Sequence, residues 1–175
     1  MLLALACAQP QPKPSGDEKP DLYRTLRTAA LTRAPKDIGI SAAPNKLFVV
    51  VMDFPRANGT ATLVAYVDGS TSLYLSEGGG VIGAGKRETV RLAAAKLFQR
   101  ATRAASAARS TTSFPLPAPG EVIFYLRTPS GTSAIRASEA ELADRHHPAA
   151  ALYEVAQGVV TELGLAADPT PSARR

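Results

Sequence analysis

The stretch best suited to chemistry runs from Ser76 to Arg87 and reads SEGGGVIGAGKR. Gly78, Gly80 and Gly83 match G-x-G-x-x-G, the spacing that lets a backbone approach a pyrophosphate. Gly80 to Lys86 match G-x-x-x-x-G-K, most of a phosphate-cradling loop. Both patterns need partners. A dinucleotide site requires a parallel βαβ unit and an acidic residue about 20 positions on, where this chain reads FQRATR over 98–103. A phosphate loop requires a Ser or Thr hydroxyl after the lysine to hold Mg²⁺, and Arg87 stands there. Two readings of the glycines remain. In one they let the chain leave a sheet edge, bend and start a helix, with positive φ where needed. In the other, the N–H groups of Gly78, Gly79, Gly80, Gly83 and Gly85, flanked by Lys86 and Arg87, hold a phosphorylated small molecule or nucleotide without a nucleotide fold.

The second candidate is electrostatic. The chain carries 20 Lys and Arg against 15 Asp and Glu, a net charge of +5. From Lys86 to Arg109 there are seven basic residues and one acid, Glu88, so this segment alone carries +6 and the remainder −1. At about 100° per helical residue, Val90, Ala94, Leu97, Phe98, Ala101 and Ala105 share one face, and Lys96, Arg100 and Arg103 share the opposite one. Such a face is either solvated surface or a patch for an acidic partner, an anionic headgroup surface or nucleic acid. Nucleic acid is the poorest fit, because no aromatic residues interleave the basic ones and no DNA- or RNA-binding module is present.

Other reactive residue types lack company. His146 and His147 are adjacent, so their side chains diverge, and no third ligand of suitable spacing accompanies them. Glu139 and Glu141 belong to a turn or helix start. There is no G-x-S-x-G elbow, and Cys7 lies in a Pro-rich stretch where no base is placed beside it. Catalysis therefore has no residues to stand on, and neither a cofactor nor a metal is expected. Cys7 has another use: Met1 to Pro10, MLLALACAQP, resembles the end of a bacterial lipoprotein signal. It lacks a leading positive charge, and its apolar run is shorter than the roughly 7–15 residues of a signal core. The expectation is a cytoplasmic protein. Membrane anchoring through an acylated Cys7 is the alternative, should the true start lie upstream.

The elements that must position these groups follow from periodicity. Alternate prolines make 1–19 a tail or lipoprotein linker, and 166–175 reads the same way. The stretch between them, 20–165, has the length of one domain. At 45% hydrophobic and 20% charged, with no Trp, its core must rest on Val, Leu, Ile and Ala. A first helix begins at Pro20 and Asp21, with Leu22, Leu26 and Ala30 on its buried face, and stops at Pro35. Leu47–Phe54, LFVVVMDF, is a strand buried on both faces. Thr60–Val67 and a third strand around Leu73 and Leu75 complete a meander, joined by an Asp68-Gly69 turn with positive φ at both positions. A long helix spans Arg87–Ala108, a hairpin follows over Glu121–Arg127 and Thr132–Ala137, and a last helix covers Pro148–Leu163 with Gly164 as its C-cap. The predicted fold is α+β: a five-stranded antiparallel sheet with flanking helices in the order α-βββ-α-ββ-α. Leu63, Val67, Leu73, Leu75, Leu97, Ile123, Tyr125, Val155 and Val159 are expected to be buried together.

Gly59–Gly85, GTATLVAYVDGSTSLYLSEGGGVIGAG, and Pro115–Thr128 are similar to stretches of small bacterial proteins of unassigned function. The predicted topology resembles the profilin-like and roadblock-type folds, with three strands before the middle helix where the roadblock order has two. That resemblance implies docking or dimerisation and carries no site residues. The expected function is therefore a non-enzymatic interaction or regulatory domain. It would use the Lys96, Arg100 and Arg103 face to dock an acidic partner, or pair with itself through a sheet edge or outer helix. Binding of a phosphorylated ligand at Gly78–Arg87 is the alternative.

Overall fold

Apolar residues on both sides make β1 (Val49–Arg56) the central strand of the sheet. Val50, Met52 and Phe54 enter one hydrophobic cluster, and Val49 and Val51 enter another on the opposite face. The computed structural model describes residues 18–167, with side chains from 22 to 165. Of the tails expected at 1–19 and 166–175, residues 1–17 and 168–175, Cys7 among them, lie outside the described residues, while 18–19 and 166–167 belong to helices.

β1 pairs on one side with β2 (Gly59–Tyr66) and on the other with β6 (Glu121–Thr128). Beyond β2 come β3 (Thr71–Leu75) and the two-residue β4 (Gly80–Val81). Beyond β6 come β7 (Gly131–Ser138) and the two-residue β5 (Arg109–Ser110). Every pairing is antiparallel. α2 (Glu88–Ala104) and α4 (Ala150–Ala167) pack on each other and cover one face, with the short α3 (Glu139–Ala143) contributing Leu142. α1 (Glu18–Thr32) covers the other face.

The described residues thus form an α+β fold with a seven-stranded sheet and four α-helices, which corrects the expected five strands and the order α-βββ-α-ββ-α. The omissions share a cause. Two-residue strands are too short to show alternation. β4 is built from the glycine run, and β5 from exposed polar residues directly behind α2. α3 spans five residues and is held by a capping box, the Ser138 hydroxyl accepting the Glu141 N–H while the Glu141 carboxylate accepts the Ser138 N–H.

Packing also departs from the expected single core. Leu63, Leu73, Leu97 and Val159 lie on the α2/α4 side of the sheet, with Leu75 and Val155 half-buried against them. Ile123 and Tyr125 lie on the α1 side, and Val67 is exposed. The buried stripe of α1 is Tyr23, Arg27, Ala30 and Leu31; of the expected Leu22, Leu26 and Ala30, Ala30 is buried, Leu26 is half-buried against the same cluster and Leu22 is exposed. The Asp68-Gly69 turn is longer than expected. Tyr66 N–H donates to the Ser70 carbonyl, only Gly69 takes positive φ, and the Asp68 carboxylate instead accepts the Ser70 N–H. α4 runs through Gly164, since one helical glycine costs only about 1 kcal/mol.

Candidate functional site

α2 is amphipathic with a 3.6-residue period. Val90, Ala94, Leu97, Ala101 and Ala104 are buried against the sheet and α4, which fixes the helix rigidly. Arg91, Lys96, Arg100 and Arg103 are exposed. Lys96 and Arg100 are four residues apart and Arg100 and Arg103 three, so like charges sit on adjacent turns, a spacing that costs a few tenths of a kcal/mol per pair. Among the described residues none of these cations has a carboxylate within ion-pairing distance. Arg103 in the last turn is favoured by the helix dipole. Leu92, 55% exposed, adds an apolar element to the same open side.

The glycine stretch is built into the sheet edge. Gly78, Gly79, Gly80 and Gly83 all adopt positive φ. Gly80 lies so close to β3 that a Cβ there would meet the Leu73 carbonyl oxygen, and one at Gly85 would meet the Gly69 carbonyl oxygen. Two N–H groups of this stretch serve the fold: Gly78 donates to the Leu75 carbonyl and Gly83 to the Ser72 hydroxyl. Lys86 is exposed, and Arg87 reaches the Leu165 carbonyl of α4 at 3.4 Å. The small cleft beside Gly78, Gly79 and Gly80 is walled by Leu22, Leu26 and Ile82, and neither Lys86 nor Arg87 lines it. The structure does not gather the seven residues around one concave surface.

His146 and His147 go separate ways. The His146 ring lies 2.8 Å from Asp144, while His147 Nδ1 accepts the Ala149 N–H at the start of α4.

Sequence reasoning missed a polar network under α1. Arg27 donates from Nε and Nη2 to Asp53, and from Nη1 and Nη2 to the Phe114 and Pro115 carbonyls. Thr62 donates to the other Asp53 oxygen at 2.6 Å, and the Tyr23 hydroxyl lies 2.9 Å from Thr62. Burial pushes the Asp53 carboxyl above its ordinary range, against the Arg27 and Thr62 hydrogen bonds. Nearby, Arg127 stacks over Phe48 and donates to the Ala30 and Arg33 carbonyls at the end of α1. Burial pulls its guanidinium below the ordinary value, and the helix's C-terminal carbonyls take the place of a counter-ion. The available signal was Asp53 itself, a carboxylate inside an apolar run. Arg27 holds α1 to the central strand and to the neighbouring loop, and Arg127 holds the end of α1 through Nη1, its buried Nε having no hydrogen-bond partner among the described residues.

No helix among the described residues is long and apolar enough to cross a membrane. No protein family, curated protein or solved structure matches this chain.

Proposed function

We propose that this chain is a non-enzymatic docking module that recruits an acidic protein partner to the exposed face of α2. One observation carries the reading: Lys96, Arg100 and Arg103 are exposed together on a helix packed along its other face, and no carboxylate among the described residues neutralises them. Like charges kept on adjacent turns cost the fold a few tenths of a kcal/mol per pair. Opposed to an acidic surface they steer encounter and fix orientation. Two copies of this face repel each other, so the partner is a different molecule.

The test uses poly-L-glutamate as an acidic polypeptide probe. Binding is expected to weaken steeply with salt, as the Debye length falls from about 10 Å at 0.1 M to about 3 Å at 1 M. It is also expected to be lost in the triple variant Lys96→Glu, Arg100→Glu, Arg103→Glu, with melting unchanged within about 0.5 kcal/mol per site. Tighter binding of duplex DNA or anionic vesicles than of polyglutamate would overturn the choice of partner.

A further inference from the structure

The outer edge of β7 is only half covered. β5 pairs with it at Arg109↔Ala134 and Ser110↔Ser133, and the Thr111 N–H donates to the Thr132 carbonyl. The Thr132 carbonyl therefore faces away from β6, and every second residue of an antiparallel strand does the same. Unbroken register between β6 and β7, from Glu121↔Ser138 to Thr128↔Gly131, carries that parity to Arg136. Its N–H and C=O stand on the open edge, and no backbone group among the described residues takes them up. β5 cannot extend to cover them, because the chain arrives through the 3₁₀ turn Ala105–Ala107.

Around this gap lies a cleft of about 540 Å³. Tyr125 and Ile135 line it from the two faces of the sheet, Ala107 and Pro148 add apolar walls, and Arg109 and His147 lie at its margin. Arg136 is engaged in a two-pronged ion pair, its Nε and Nη2 donating to Glu121 at 2.8 and 2.9 Å. Arg109 has no carboxylate partner among the described residues, so the uncompensated charge of the cleft is positive. We infer that this gap accepts an extended acidic peptide, which adds a short strand to β7 at Arg136 and places a carboxylate against Arg109. Main-chain pairing at an exposed edge supplies affinity, and alternate side chains entering flanking pockets supply selectivity. A second copy of this chain is the wrong occupant, because pairing β7 with its own counterpart brings Arg109 and Arg136 towards their equivalents.

The probe is the peptide acetyl-Val-Glu-Val-amide, short enough to stand opposite Arg136 without displacing Arg109 from Ala134, titrated into the full chain and followed by amide NMR. Saturable shifts at Arg136 and Ala137 and slowed exchange of the Arg136 amide are expected, with affinity lowered about tenfold or more by Arg109→Glu. A peptide N-methylated at its central residue is expected to bind far more weakly, since it cannot pair. Three results would each overturn the inference: no shift at these amides with millimolar peptide, equal binding of the N-methylated peptide, or equal binding of a counterpart with lysine in place of glutamate. Self-association of the free protein through these same amides would also overturn it.

Discussion

Arg27 and Asp53, 26 positions apart, form a buried ion pair in which the guanidinium Nε and Nη2 both donate to one carboxylate oxygen, at 2.9 and 2.6 Å. The Asp53 side chain is wholly buried and that of Arg27 nine-tenths so, and the pair joins α1 to the central strand. Removing either partner strands the other. Arg27→Met or Asp53→Leu alone is expected to cost roughly 3–5 kcal/mol, whereas the double variant should lose far less than the sum. A denaturation cycle checks this, and additive losses would show that the two groups are not coupled.

Gly80 gives a sharper test of the glycine stretch. Its φ of 132° and its approach to Leu73 leave no room for a Cβ, while Gly79, at φ 85°, faces open space. Gly79→Ala should therefore cost only the left-handed backbone term, roughly 1–2 kcal/mol. Gly80→Ala should cost more and release β4, exposing the Leu75 and Gly83 amides to hydrogen exchange. Equal effects of the two substitutions would mean that β4 is not packed on β3 as described.

Acid sensitivity should be visible at Glu121. Hydrogen bonds from Arg136 hold its carboxyl below the ordinary range, against partial burial, and the Ala118 N–H adds to the effect. A depressed folded-state value stabilises the fold above the unfolded carboxyl value of about 4.3, and that contribution disappears as pH falls through the folded value. Carboxyl NMR titration of wild type and Arg136→Gln should show Glu121 moving upward in the variant. An unchanged titration would remove Arg136 as the cause.

How far the sequence could be read depended on whether a residue's role lay in its own periodicity. The apolar run at 47–54 and the stripe Val90, Ala94, Leu97, Ala101 declared a strand buried on both faces and a docked helix, and the cationic side of α2 followed from that stripe. Arg27 was illegible because its burial depends on a carboxylate in another element, and a pattern of polar and apolar letters places any arginine in solvent. β4 and β5 were illegible because they exist only by pairing with β3 and β7. Gly164 looked like a helix stop, but the helix continues through it to Ala167.

The docking claim rests on where the charge lies, and comparing two triple variants of identical net charge tests it most directly. One reverses Lys96, Arg100 and Arg103 on α2; the other reverses Arg24, Lys36 and Arg145, which are also exposed but lie elsewhere. Affinity for labelled poly-L-glutamate, read by anisotropy at about 0.1 M salt, should fall about tenfold or more for the α2 variant and stay within about threefold of wild type for the other. Equal losses in both would show that binding follows net charge alone, and α2 would then be ordinary solvated surface.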